Sequence, residues 1–243
     1  MQWFTMGFWR KPEKSGITFD EISRRTYDTI TIFNDQQEEY RPNYQTIMQK
    51  KDALPFDWNY DNFYKELRKN INKSGRTIFE KLGYSMSFFS SLDDNNSCGY
   101  SLRVGNQNEQ FINAIIVDFP VLFDISCKQN STLICDIFQR VVEKFEPFWA
   151  GVISNTNNIK QEKSGFPRGK EQLKNQLTGV HWLNYWSNEM ISSLGEEKLT
   201  TINNIFPNIK YTDGVLRLQE KPLNLECEVD RQYKKTVEDY LLR

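Results

Sequence analysis

The hydrophobic residues at the start of the chain form first an unbroken run and then a helical repeat. Residues 3–9 (WFTMGFW) are mostly apolar and are closed by Arg-Lys-Pro, which predicts a short β-strand. A helix is predicted to begin after Thr18, which precedes Glu21 by the three residues of a capping box. Its inward positions recur every three to four residues, at Ile22, Thr26, Ile30 and Phe33.

A second amphipathic helix is predicted over residues 59–73, where Phe63, Leu67 and Ile71 lie four positions apart. The stretch before it, residues 36–51, is polar and shows no clear period. We expect that stretch to be irregular or weakly helical.

The period then changes from about four residues to two. Apolar residues alternate with polar ones over residues 84–88 and again over 100–104, and Asp93–Ser97 between them has turn chemistry. This pattern predicts a β-hairpin with a long acidic tip. Residues 113–119 (NAIIVDF) are continuously apolar, which favours a central strand buried on both faces. The three strands are expected to form an antiparallel meander.

The second half of the chain returns to mixed periods. Ser131 is the predicted N-cap of a helix that Pro147 ends, and a strand is predicted over 148–154. Residues 155–176 are polar and rich in Asn, Gly and Lys, so a long mobile loop is expected there.

Further elements are predicted beyond that loop: a strand in 179–189, a polar helix or turn near 192–199, a strand over 215–219 and a last helix from about Val229. Helices and strands are interspersed without a regular βαβ order. The simplest account is a single α+β domain over residues 1–243, with a central, mostly antiparallel sheet packed with helices.

Composition narrows the class of protein. The chain is 38% hydrophobic and 26% charged with a formal net charge of −1, which is typical of a soluble globular domain and lacks the basic footprint of a nucleic-acid binder. The four cysteines are scattered, which favours a reducing compartment and no structural zinc site. The longest aliphatic run is far below the ~20 residues of a membrane span, and no signal-peptide pattern is present, so we expect a cytoplasmic protein without membrane contact.

The segment GVHWLNYWSNE (179–189) concentrates aromatic residues beside the only histidine, His181. It has three interpretations: an active site, a base-stacking platform and a buried strand. A catalytic histidine needs a second polar group to hold it, and none is evident in the sequence. The alternation favours a strand, with Trp182 and Trp186 directed into the core and His181, Leu183 and Tyr185 on the opposite face.

Two further patterns carry an alternative function, that of a nucleic-acid-binding protein or a metal-dependent nuclease. Glu196 and Lys198 have the E-x-K spacing of some nucleases, but the site would need an upstream aspartate to share the metal, and that segment offers only asparagines. The loop from Lys160 to Lys174 is rich in lysine, although glutamates dilute its charge. A solvated loop and a chance E-x-K match are the simpler interpretations.

Several segments, in the same order along nearly the whole chain, resemble the immunity protein 52 family of bacterial polymorphic toxin systems. A neighbouring immunity family of type VI secretion systems shares part of the pattern. The segments that carry the resemblance are WFTMGFWRKPEKSG, FEKLGYSMSFFSS, YSLRVG, NAIIVDFP, FEPFWAGVIS, VHWLNYWS and GVLRLQEKPLNLECEVDRQYKKTVEDYLL.

The resemblance implies a non-enzymatic protein that binds and neutralises a cognate toxin, expected to be a nuclease. It implies no catalytic residue, cofactor, metal or direct nucleic-acid partner, and an exposed edge strand would let the chain form a homodimer. Carboxylates that imitate phosphate would suit a basic nuclease cleft. The candidate toxin-binding residues are Asp57, Asp61, Asp93, Asp94, Glu226, Glu228 and Asp230.

Overall fold

The computed structural model describes residues 2–47, 49–156 and 179–242. Among these residues no helix has both the length and the apolar character needed to cross a membrane. They form six α-helices: α1 (Phe19–Gln36), α2 (Tyr60–Lys69), α3 (Lys128–Phe145), α4 (Asn188–Leu194), α5 (Glu196–Ile205) and α6 (Glu228–Leu242). Their strands are β1 (Gln2–Arg10), β2 (Tyr44–Gln45), β3 (Leu54–Pro55), β4 (Lys73–Ser74), β5 (Thr77–Ile78), β6 (Tyr84–Phe89), β7 (Gly99–Val104), β8 (Asn113–Asp118), β9 (Trp149–Thr156), β10 (Leu183–Trp186), β11 (Lys210–Thr212) and β12 (Val215–Arg217).

Ten of these strands form one sheet in the order β11-β12-β10-β9-β1-β8-β7-β6-β2-β3. Every pairing between them is antiparallel, and β4 with β5 makes a separate small ribbon. The predicted α+β architecture with a mostly antiparallel sheet is confirmed, as is the β6-β7-β8 meander. The first strand, β1, lies at the centre of the sheet, between β8 and β9.

Alternate residues of the central strands enter two separate hydrophobic cores. In β1, Phe8 belongs to a first core between the sheet and helices α1, α2 and α3, whereas Trp9 belongs to a second core between the sheet and α4, α5 and α6. Successive side chains of a strand point to opposite faces, which explains this division. Trp9 stacks on Trp149 in the second core, with ring centroids 4.1 Å apart.

Strand β8 is less buried than its continuous apolar run predicted. Ile115 and Val117 are fully buried in the first core, but Ile116 is half-buried and Asp118 is exposed on the other face. The helices of the second core lie against the β1-β9-β10-β12 half of the sheet, so the outer face of β8 lies largely beyond them.

Helix caps show one confirmed prediction and one wrong one. At α1 the Thr18 Oγ accepts from the backbone N–H of Glu21, and the Glu21 carboxylate accepts from the backbone N–H of Thr18 at 2.8 Å. For α3 the N-cap is Cys127, whose Sγ accepts from the N–H of Asn130 at 3.4 Å. Ser131 lies inside that helix and its hydroxyl donates to a backbone carbonyl three residues back.

Two stretches contain more structure than their sequences predicted. The polar stretch near 192–199 is two helices, which are separated by Gly195 at a φ of 90°. The strand predicted from Val215 is the second arm of a hairpin, because Asp213 and Gly214 both adopt positive φ between β11 and β12. The second helix ends at Lys69 rather than at 73, and Ile71 instead forms a bridge to Tyr84.

Candidate functional site

His181 is a buried structural residue just before β10. Its backbone N–H donates to the Asn184 side chain at 2.7 Å, and the amide of Asn184 donates back to the His181 carbonyl at 2.7 Å. Burial, and secondarily the Lys234 ammonium, lowers the pKa of His181 to about 3, so the ring is neutral at ordinary pH. The segment is therefore a strand and its entry turn.

The tryptophans of this segment are buried as predicted, but they do not share a face. Trp182 packs with Leu183 in the first core, and its indole N–H donates to the Gln219 carbonyl at 3.0 Å. Trp186 packs in the second core. The prediction that Trp182 and Leu183 lie on opposite faces of the sheet is wrong. Strand β10 begins only at Leu183, so Trp182 does not follow the strand alternation.

Of the two sequence patterns behind the nuclease alternative, the structure describes only the Glu196–Lys198 pattern. Glu196 and Lys198 are in the first turn of α5, and the Glu196 side chain is exposed. Among the residues that the structure describes, no group of three or more His, Cys, Asp or Glu side chains could hold a metal ion. The loop from Lys160 to Lys174 lies outside the described residues.

The seven candidate toxin-binding carboxylates lie in two distant parts of the surface. Asp57 and Asp61 flank the start of α2, and Asp93 and Asp94 lie in the β6–β7 turn, towards the β3 end of the sheet. The other three lie at the start of α6, which packs near β12 towards the opposite end: Glu226, Glu228 and Asp230. Ten strands about 4.8 Å apart span roughly 40 Å, which is wider than one interface of standard size.

Several of these carboxylates already have partners within the chain. Asp94 forms an ion pair with Lys50 at 2.7 Å, and Asp230 accepts from a backbone N–H at 2.6 Å. Asp93 accepts hydrogen bonds within its own turn. Asp61, on the first turn of α2, differs from them because it lines a groove.

That groove, which we call the α1–α2 groove, is open and has a volume of about 810 Å³. It runs between α1 and α2 and is bounded by the end of α3. Side chains four residues apart share one face of a helix. Two such series face each other here, namely Asp20, Arg24 and Asp28 on α1, and Tyr60 and Tyr64 on α2. Arg68 continues the second series one turn beyond Tyr64 and lies beside the groove.

Arg24 lies flat against a tyrosine at the groove. Its guanidinium carbon is 3.3 Å from the centre of the Tyr60 ring, which is stacking distance. Tyr60 is held in place by its hydroxyl, 3.1 Å from the Ser23 hydroxyl, and by an edge contact with the Tyr27 ring. The arginine therefore rests on a fixed aromatic surface.

One helical turn further along α2, Tyr64 and Arg68 make a looser contact between a cation and aromatic rings. The Tyr64 hydroxyl donates to the Asp20 carboxylate at 2.7 Å, and this bond raises the pKa of Tyr64. The Phe19 ring contacts Tyr64 edge-on, with centroids 4.8 Å apart. The Arg68 guanidinium lies 5.2 Å from the Phe19 ring and 5.7 Å from the Tyr64 ring.

A buried carboxylate, Glu13, pairs with Arg25, which lines the groove. Glu13 is 7% exposed and forms ion pairs with both Arg10 and Arg25. Burial lowers the pKa of Arg25, and the Glu13 carboxylate opposes that effect. Glu13 also donates its backbone N–H to the Asn106 carbonyl at 2.7 Å, which ties the β1–α1 connection to the β7–β8 loop.

The groove presents guanidinium, phenol and carboxylate groups on rigid helices, which suits recognition of a charged protein surface. The sequence prediction named Asp61 here and missed Arg24 and Tyr60 in the groove and Arg68 beside it. The signal that could have found them is the four-residue spacing of Tyr60, Tyr64 and Arg68 on the polar face of α2.

No protein-family model matches this sequence, and no curated protein matches it. A solved structure does match in fold, T6SS protein PA0821 of Pseudomonas aeruginosa. The chain shares its fold with a T6SS protein. The likeness covers 100% of this chain and 73% of that one at a TM-score of 0.65, with 12% sequence identity. At this identity the likeness shows a shared fold.

Proposed function

We propose that this chain is an immunity protein of a type VI secretion system, which binds a cognate toxin and holds it inactive without catalysis of its own. The observation that carries the proposal is the whole-chain likeness in fold to a T6SS protein. The resemblance of the ordered sequence segments to an immunity family supplies the toxin-neutralising role. The same resemblance implies that the toxin is a nuclease.

The α1–α2 groove is the proposed toxin-binding face. Tyrosine and arginine are the residue types that most often dominate binding energy at protein interfaces, and here they are held by neighbouring side chains. A rigid, preorganised surface loses little side-chain entropy on binding. Tight, stoichiometric binding is what neutralisation requires, and inhibitor complexes of standard interface size reach the strongest known protein affinities.

The direct test is co-expression with the toxin encoded beside this chain. Host cells that make the toxin domain should survive when this protein is present and die when it is absent. The purified pair should co-elute as a stable complex. Equal killing with and without this protein would reject the proposed function.

A comparison of two carboxylates tests the binding face. Asp61 and Glu228 are both exposed and both lie in the first turn of a helix, so reversing either charge should cost the same ~0.3–1 kcal/mol of helix stability. We expect Asp61→Lys to weaken toxin binding by at least about tenfold, or ~1.4 kcal/mol, and Glu228→Lys to leave it nearly unchanged. The opposite ranking would move the binding face to the start of α6.

A further inference from the structure

Two arginines, Arg24 in the groove and Arg68 beside it, differ from the other cations nearby. Within the described part of the chain, Arg24 and Arg68 contact aromatic rings and form no ion pair. The remaining cations around the groove are each paired with a carboxylate: Arg25 with Glu13, Lys144 with Asp28 and Arg10 with Glu146. Two exposed guanidiniums therefore keep their hydrogen-bonding capacity for a partner.

Stacking prepares a guanidinium for binding. The ring contact contributes about 0.5–1 kcal/mol at an exposed site and occupies only one flat face of the group. The five N–H donors lie in the plane of the guanidinium, so they stay available to planar acceptors such as carboxylates. Because the side chain is already ordered on Tyr60, less entropy is lost when Arg24 binds.

The surrounding charges favour a protein partner over a nucleic acid. Asp20, Asp28 and Asp61 line the same groove, and a nucleic acid carries closely and regularly spaced phosphates that would meet these carboxylates. A folded protein can instead place single carboxylates opposite the arginines and keep neutral groups elsewhere. The formal net charge of −1 offers no general attraction for a polyanion.

We propose that Arg24 and Arg68 form a carboxylate-recognition site, which binds acidic side chains on the surface of the partner protein. The site rests on the proposed function only for the identity of that partner. If the toxin is a nuclease, its cleft for nucleic acid is basic, so an acidic contact surface lies beside that cleft. Inhibition then works by covering or distorting the cleft from its flank.

The first experiment uses the full chain, at low ionic strength, and a short fluorescent peptide that carries two glutamates among neutral residues. Wild type should bind the peptide saturably, and the double variant Arg24→Gln/Arg68→Gln should bind it at least about tenfold more weakly. Lys65→Gln is the control, because Lys65 is an exposed cation on α2, the helix that carries Arg68. Thermal melts confirm that all variants are folded.

Three outcomes overturn the inference. They are no binding by wild type, an equal loss in Lys65→Gln, and tighter binding of a single-stranded DNA of the same length than of the peptide. An equal loss in the control would show general electrostatic attraction, and preferred DNA binding would show a phosphate site.

The second experiment repeats the comparison with the neighbouring toxin, measured by titration calorimetry. Neutralisation by wild type and by the double variant with equal affinity would reject the carboxylate site and leave the proposed function standing. Failure of wild type to neutralise, together with arginine-dependent peptide binding, would reject the proposed function and leave the site standing. A loss of affinity confined to the arginine variants supports both.

Discussion

Replacing Glu13 with glutamine should destabilise the fold more than any comparable change of a surface carboxylate. The Glu13 side chain is 3% exposed and lies between the guanidiniums of Arg10 and Arg25, whose side chains are 21% and 16% exposed. Glutamine keeps the shape and removes the charge, so two largely buried cations lose their common partner. Breaking a buried ion pair in this way costs roughly 3–5 kcal/mol, and the residual exposure of both arginines places the expected value near ~3 kcal/mol.

The assay is urea unfolding followed by tryptophan fluorescence, with a thermal melt as a second measurement. A loss of ~3 kcal/mol corresponds to a melting temperature lower by roughly 6–12 °C for a chain of this size. The control is Glu189→Gln, which weakens the exposed Lys11–Glu189 pair and should cost under ~1 kcal/mol. If the two variants unfold at the same urea concentration, Glu13 is effectively hydrated and the reasoning is refuted.

Three more predictions concern stability. Gly151→Ala would place a methyl group 3.1 Å from the His181 ring, so we expect the free energy of unfolding in a urea titration to fall by roughly 1–3 kcal/mol. The control Gly99→Ala, whose nearest contact is at 3.4 Å, should change little. Equal unfolding of the two variants would contradict this reasoning. His181 has a folded pKa depressed from 6.5 to about 3, so the unfolded chain binds the extra proton in that window and the free energy of unfolding falls as pH falls through it, by up to ~1.4 kcal/mol per pH unit. The His181→Gln variant should lose that part of the acid sensitivity, and identical pH profiles would count against a neutral buried ring. Cys127→Ser puts a preferred capping oxygen at the start of α3 and should raise the melting temperature slightly, by a gain of ~0.5 kcal/mol; a decrease would mean that the thiol contributes more than its cap.

Local patterns in the sequence predicted the local structure well. The Thr18–Glu21 spacing gave the start of α1, and the two-residue alternation gave the β6–β7 hairpin, because both depend on contacts between near neighbours in the chain. Errors arose where two local signals competed. Ser131 is the commoner capping residue, yet Cys127 caps α3 because the chain leaves its extended conformation one turn earlier. The Asp213–Gly214 pair is a strong hairpin signal that the prediction overlooked.

The sheet order and the candidate site depend on contacts between residues that are far apart in the sequence. Local sequence patterns therefore could not predict them. Nothing local indicates that β1 pairs with β8 and β9. Arg24 and Arg68 lie on the polar faces of amphipathic helices, where they look like ordinary solubilising residues. They become a site only when α1 and α2 pack together, which places Arg24 on the Tyr60 ring and Arg68 near the Phe19 ring. Asp61 was named in advance, but its neighbours in the groove were not.

The central position of β1 sets the order in which this protein can be assembled during synthesis. Its partners on both sides are more than one hundred residues later in the chain, so the strand leaves the ribosome long before either neighbour exists. Until then its tryptophans and phenylalanines, with unpaired backbone groups, are open to chaperones or to misassociation. Such distant pairings also slow folding. The two halves of the sheet can therefore join only when β8 and then β9 reach the first strand.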